Sequence, residues 1–340
     1  MSARRVVVVG AGVTGLLAAV ACVRAGHRVT VVEQGEIPDP LAGSFDHGRV
    51  LRTLTPGDSA GTRRRIAAHH RWLELEEVFG EHFYRRVGVL SAWPRPRVDE
   101  VFADAAAAGL PLVAVEPGKV THLGIPDGAV AVQEAEAGVL LAERVLRAAA
   151  HWLACRPGVT LRPHRPVSAS DVHSGRIGVD ADAVLLAAGA WTAELLGVPV
   201  VLHRQTVLYL RPPADLVPLW AGAPAAGGLG TGGRGWLLPP GGGGLLKISS
   251  DLVCREVDRI DPHGPEDDSV RTLLAAGVVS DVDRYRVVTV RRCHYASGRE
   301  DALLQRSGRS LWSRAASGGS GFGTAPLAAE EFVREMEEAA

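Results

Sequence analysis

Residues 6–33 read VVVVGAGVTGLLAAVACVRAGHRVTVVE, and this stretch decides the fold. Residues 6–9 are β-branched and wholly apolar, as expected of a strand buried on both faces of a parallel sheet. Gly10, Gly12 and Gly15 then supply G-x-G-x-x-G, with Ala11, Val13 and Thr14 between them. Gly10 allows the tight turn, Gly12 lets a pyrophosphate approach the backbone, and Gly15 lets helix and strand pack closely. Residues 16–25 are good helix formers, and Gly26 stands where a C-cap belongs. Residues 28–32 predict a second strand ending in Glu33, whose carboxylate can accept hydrogen bonds from a ribose 2′-hydroxyl. The helix N-terminus holds a diphosphate through its free N–H groups and partial positive charge. Strand, helix, second strand and acid at these spacings predict a dinucleotide site. The acid disfavours a 2′-phosphate, so NADP is unfavourable and NAD or FAD remain.

The chain of 340 residues exceeds the usual size of one domain, which predicts two domains sharing an active-site cleft. A net charge of −1, with no basic run or basic-aromatic interleaving, argues against nucleic acid or an anionic membrane as partner. No stretch reaches the length of an apolar membrane span. The four cysteines are far apart, which fits free thiols and a cytoplasmic location. Lysine occurs only at Lys119 and Lys247, leaving 35 of the 37 basic residues as arginine. Where lysine survives in such a chain, chemistry that arginine cannot perform is suspected.

Residues 34–61 read as an extended loop, 62–79 as a helix, 87–93 as a strand, 98–108 as a helix and 112–115 as a strand. The tandem His69-His70 reads as ordinary helix surface, because adjacent positions do not share a helix face and make a poor metal pair. Residues 138–156 read as an amphipathic helix. Strands are expected at 159–163, 177–179, 183–186, 200–210, 245–248, 286–292 and 310–315. Residues 222–244 read as a glycine-rich hairpin or tight loop set, and 325–336 as a closing helix after a glycine loop. Dinucleotide-layer sequence returns three times along the chain. This predicts an α/β fold: a discontinuous Rossmann-type FAD-binding domain (glutathione-reductase-like) over 1–85, 145–200 and 291–340. A mixed-sheet α+β substrate domain over 86–144 and 201–290 is threaded through it.

Along almost its whole length the chain resembles the glycine/sarcosine-oxidase-like branch of the D-amino-acid oxidase family. The motifs are SFDHGRVLR at 44–52, GVL at 138–140, AAGAW at 187–191, Arg204-Gln205, Leu246-Lys247, Cys293-His294-Tyr295 and Gly319-Ser320-Gly321-Phe322. FAD rather than NAD follows mainly from this resemblance. It implies oxidation of an amine or imino/amino acid to an imine, with O2 reduced to H2O2 and the neutral amine as reacting form. A flavin dehydrogenase or desaturase that does not use O2, or an electron-relay flavoprotein subunit, is the alternative. The expected partners are a small-molecule amine and O2, with the chain a monomer or weak dimer.

The resemblance places Lys247 above the flavin, where a fixed ammonium promotes the reaction with oxygen. Cys293 matches a cysteine bonded to FAD, a link that needs a thiolate and nearby positive charge; Arg291 and Arg292 adjoin it, and at most one can help directly. Arg49 is implied as a positive charge beside the flavin, Arg52 as the partner of the substrate carboxylate, and His47 as a residue near the flavin. Trp236 and Tyr295 are implied to border the substrate cavity. The remaining cofactor contacts expected are Gln34, Val167, Ala188, Gly189 and Trp191, with Gly10 to Gly15, Glu33 and the loop Gly319, Ser320, Gly321, Phe322 and Gly323. No metal site is expected. Two positions depart from the family pattern. Gly323 stands where a lysine usually pairs with the substrate carboxylate, and Asp251 where a histidine is usual. Asp251 facing the pocket would attract a cationic amine or act as base.

Overall fold

The four valines of the opening stretch lie at the centre of a six-stranded sheet. The computed structural model describes residues 2–175, 177, 180–241, 244–261, 268–298, 304–315 and 317–339. Strand β1 (Arg5–Val9) pairs in parallel with β2 (Arg28–Val32) on one side and with Ala183–Leu186 on the other. Val159–Arg162 extends the sheet beyond β2, and Leu311–Ser313 and Gln305–Arg306 extend it beyond Ala183–Leu186. Both faces of β1 are covered. Val6 and Val8 pack into a core with helix α1 (Val13–Arg24) and the C-terminal helix Ala325–Glu338. Val7 and Val9 pack with Val32, Val172 and Leu186 on the opposite side. Burying each such side chain contributes about 1.5–3 kcal/mol.

Two glycines show why this turn admits no side chain. Gly10 has φ +102°, and a Cβ on Gly15 would lie 1.8 Å from the Gly10 carbonyl oxygen. The helix therefore rests directly on the turn that precedes it. Its far end closes on Gly26, where the Gly26 and His27 N–H groups return to the Val23 and Cys22 carbonyls at 3.0 Å.

A nine-stranded mixed sheet forms the second layer. Its order is Cys254–Glu256, Val201–Arg211, Leu246–Ser250, Gly235–Leu238, Ala225–Leu229, Val89–Pro94, Ala129–Glu134 and Leu112–Ala114; Arg286–Ser297 also pairs with Val201–Arg211. Alternation along the strands sorts its two faces. Leu208, Leu210, Leu246 and Ile248 enter an apolar core, while Lys247, between the last two, lines a cavity on the other side. A small antiparallel sheet of Arg49–Leu51, Gly138–Leu140 and Tyr84–Arg85 joins the loop before residue 52 to the rest.

Several segments differ from the sequence reading. Residues 138–140 are a strand and the helix is Ala142–Ala154; a Cβ on Gly138 would lie 2.1 Å from the Arg85 carbonyl, a close strand approach that periodicity does not reveal. Within 34–61, Arg49–Leu51 is a strand, and the next helix starts at Ser59 because the Asp58 carboxylate caps it by accepting the Gly61 N–H at 2.8 Å. Ala129–Glu134 is a strand that the sequence reading leaves unassigned. His69 is not surface: it is buried, with Nε2 3.1 Å from the Tyr84 hydroxyl. The strand Arg286–Ser297 runs across the boundary expected at 290/291. Residues 178 and 179 of the strand expected at 177–179, and residues 242 and 243 of the glycine-rich stretch, lie outside the described residues. The rest of that stretch forms the expected hairpin, Ala225–Leu229 against Gly235–Leu238. Among the described residues, no helix is long and apolar enough to cross a membrane.

Candidate active site

A single elongated cavity of about 1280 Å³ runs from the glycine turn of β1 to the face of the nine-stranded sheet. Gly10, Gly12, Val13, Thr14, Glu33, Gln34, Val167, Ala188, Gly189 and Trp191 line its first part. Glu33 is buried and accepts the Ala11 N–H at 2.7 Å and the Gly35 N–H at 3.2 Å. A carboxylate has about four acceptor sites, so two donors leave capacity for a ribose hydroxyl. The space before α1 is kept by Gly12, whose Cβ would stand 3.1 Å from the Ser44 Oγ; Ser44 in turn accepts the Val13 N–H at 3.0 Å.

Arg314, unremarked in the sequence reading, reaches the same place. It is buried at the end of Leu311–Ser313 and donates to Thr14 Oγ1 at 3.0 Å and to Thr324 Oγ1 at 2.8 Å. The signal for it was a lone charge within the small-residue run SRAASGG. A cation beside a helix N-terminus adds to the pull on a diphosphate.

The far part of the cavity is organised by Asp46, which has no solvent exposure. Lys247 Nζ donates to Asp46 Oδ2 at 2.6 Å and to the Gly48 carbonyl at 3.2 Å. Arg49 donates to the same Asp46 oxygen, and to the Gly43 carbonyl at 2.6 Å. The Tyr209 hydroxyl and the His47 N–H both donate to Asp46 Oδ1, the latter at 2.7 Å. Tyr209 stands directly across from Lys247 in the antiparallel pairing of their strands. Lys247 Nζ also lies 5.4 Å from the centre of the Trp236 ring. Burial raises the Asp46 carboxyl, but Arg49 and then Lys247 outweigh it and hold the group well below the usual carboxylate range. Burial and the Arg49 charge push Lys247 down to about 8, against the opposing pull of Asp46. Burial, with Asp46 adjacent, drives the Tyr209 phenol far up, so it remains a donor. Two cations against one anion leave a net positive wall.

Arg52 lines the same cavity and is held differently. Among the described residues it has no hydrogen bond or ion pair, and its Nε is buried without a partner. A Cβ on Gly227 would lie 2.5 Å from Arg52 Nη2, so a side chain there would push the guanidinium from its present place. Burial lowers the basicity of Arg52. Glu134 opposes this at longer range, but its Oε2 is already committed to the Thr53 N–H and hydroxyl and the Leu54 N–H.

Cys293, Tyr295, Trp236 and Asp251 all line the cavity. The cations that act on Cys293 are Arg49 and Lys247, which face it from other segments. Of its sequence neighbours, Arg291 is turned to the Pro40 and Ala42 carbonyls. The Tyr295 hydroxyl lies 3.4 Å from Cys254 Sγ, and its ring stacks on His203 at 5.0 Å. Asp251 is exposed at the turn after Leu246–Ser250. Gly319, Gly321 and Phe322 line the cavity.

Five expected contacts lie elsewhere. Ala11 and Gly15 are packed in the core beneath the turn, with Ala11 offering its N–H to Glu33. His47 is exposed and lies against the Tyr209 ring at 4.8 Å. Ser320 and Gly323 are outside the lining, the Gly323 carbonyl being taken by Trp72 Nε1 at 2.8 Å. Asp46 and Tyr209 were missed altogether. The only sequence signal for Tyr209 was a hydroxyl inside the apolar run VLYL, and Asp46 stood inside the motif at 44–52 without being singled out.

Glycine turn, helix N-terminus, terminal acid and a long cavity that ends on a cationic wall define a dinucleotide-dependent oxidoreductase. Residues 5–335 match the model of the DAO family, FAD dependent oxidoreductase, and the chain belongs to that family. FAD fits the residues present, with Gly10 to Thr14 and Glu33 at the dinucleotide end and Lys247, Arg49 and Cys293 at the other. No curated relative matches the chain. Solved structures share its fold. A modified fructosyl peptide oxidase from Aspergillus nidulans is 17% identical with a TM-score of 0.81, over 99% of this chain and 90% of that one. Fructosamine oxidase (Amadoriase II) from Aspergillus fumigatus is 19% identical with a TM-score of 0.77, over 99% and 87%. Glycine oxidase from Geobacillus kaustophilus is 18% identical with a TM-score of 0.75, over 98% and 95%.

Proposed function

We propose that this FAD-dependent oxidoreductase oxidises a C–N bond of an amine or imino/amino acid to an imine and delivers the electrons to O2, giving H2O2. The observation that carries the reading is Lys247, a buried cation fixed in the wall of the cavity that FAD fits. FAD, when bound, takes two electrons from the substrate and passes them on. Lys247 and Arg49 supply the positive field that stabilises the anion formed when O2 gains its first electron. Arg52 anchors the substrate by a carboxylate, since a half-buried cation without a partner gains when an anion reaches it. Trp236 and Tyr295 wall the amine in and exclude water. Asp251, at the exposed rim, favours a cationic group on the outer part of the substrate. Glu33, Gln34, Val167 and the 187–191 turn hold the cofactor, and Cys293 is positioned for a covalent link to it.

The same reading keeps the division into cofactor segments 1–85, 145–200 and 291–340 and substrate segments 86–144 and 201–290, supported by the separation into two main sheets, except that residues 291–297 pair within the nine-stranded sheet. A reducing, cytoplasmic setting is supported by four free cysteines.

Anaerobic bleaching of the bound flavin by paired amines tests the substrate class. Sarcosine, proline and pipecolate would each be compared with the decarboxylated counterpart. Bleaching by the carboxylated member of a pair alone is expected. Bleaching by decarboxylated members, or by none, would contradict the role given to Arg52. Dithionite-reduced protein is expected to recolour within seconds in air; slow recolouring would favour a dehydrogenase or relay subunit.

A further inference from the structure

The Asp46 node goes beyond a lysine above the flavin. Groups from four neighbouring segments meet Lys247 there. Asp46, Arg49 and the Gly48 carbonyl come from the 46–49 loop, and Tyr209 comes from the strand paired with Lys247. The Trp236 ring comes from the strand on the other side, and Cys293 from Arg286–Ser297. Only one of these groups is a carboxylate. It has no solvent exposure, and Lys247 and Arg49 share a single one of its oxygens. A buried ammonium keeps its proton only where such a counterion compensates its lost hydration.

We propose that Asp46 is a positioning residue, the internal counterion that fixes Lys247 in the cavity wall and decides over which pH range it is charged, with Arg49 competing for the same oxygen. Reaction with O2 would then be gated by pH through one buried pair. The gating rests on the oxygen-side role of Lys247 given above; the counterion role does not.

The chain contains only two lysines, which makes the test direct. Lysine labelled with 13C at Cε gives two NMR signals from the FAD-bound protein, exposed Lys119 serving as internal reference. In the wild type the Lys247 signal is expected to titrate near pH 8. In Asp46→Asn its midpoint falls by about 1–3 pH units, the effect of removing an opposite charge at contact distance. In Arg49→Gln it rises, because a like charge is lost and the whole carboxylate becomes available. Lys119 stays put in both. A Lys247 midpoint unmoved in folded, FAD-bound Asp46→Asn overturns the proposal. Should that variant not fold, an unmoved or lowered midpoint in Arg49→Gln overturns it equally. An ordinary oxygen reaction in Lys247→Met would instead sink the function reading and leave the counterion role standing.

Discussion

The two ends of the cavity are built by opposite means. At the dinucleotide end, one contiguous stretch of 29 residues from β1 to Glu33 supplies the turn, the helix N-terminus and the acid, mostly through backbone and glycines. At the other end, side chains make the site, and they arrive from separate segments: Asp46 meets Lys247 across 201 positions and Tyr209 across 163. The first end holds by shape and has little to titrate. The second holds by charge, in a wall where burial makes each charge depend on its neighbour. Substitutions should therefore separate cleanly, with loss of FAD at one end and altered kinetics with FAD retained at the other.

The sharpest break would come from Gly15→Val. A side chain there collides with the Gly10 carbonyl, so a destabilisation of about 3 kcal/mol, the upper end of the usual overpacking range, is expected. Purified protein should be colourless and melt early. A yellow, stable variant would mean that the helix need not rest on the turn. Arg52→Met, at the other end, should keep its FAD and lose about 10²–10³-fold in kcat/KM for a carboxylated substrate, with reoxidation of the reduced protein by air unaffected. An unchanged kcat/KM would show that Arg52 does not read the carboxylate. Glu33→Gln replaces a charged acceptor by a neutral one, so FAD affinity, followed by flavin fluorescence, should weaken about tenfold with an unchanged pH profile. An effect of similar size, on stability in place of cofactor affinity, is expected from Tyr209→Phe, which removes one donor to Asp46: about 1–3 kcal/mol, read as a lower melting midpoint with FAD still bound.

The same contrast explains what was legible in the sequence. Gly10, Gly12, Gly15 and Glu33 were readable because their meaning lies in spacing over one β–α–β unit, and the structure places them accordingly. Lys247 stood out through its rarity among arginines, and Arg52, Cys293 and Trp236 through the family resemblance, which the match over residues 5–335 bears out. Asp46 lies inside the motif at 44–52, but nothing local gives its carboxylate a role that its acidic neighbours Glu36, Asp39 and Asp58 lack. Its importance arises only when the loop folds against strands far along the chain. The strand at 138–140 was lost for a related reason. Its pairing with Arg49–Leu51 and Tyr84–Arg85 is long-range, whereas the helix that follows it is local and dominates the pattern.

The oxygen reaction carries a definite pH sign. Lys247 is held down to about 8, so it is charged below that pH and loses its proton as pH rises through it. The reduced wild-type protein should react with O2 more slowly above pH 8 than below. The most direct measurement is stopped-flow mixing of anaerobically reduced protein with O2 for the wild type and Lys247→Met, each with FAD bound, across pH 6–10. Expected is a loss of about 10²-fold or more in the variant at pH 7, and a profile that no longer falls through pH 8. Wild-type rates with a wild-type pH profile in Lys247→Met would contradict the assignment of this lysine, and with it the reading of the protein as an oxidase built around a buried cation.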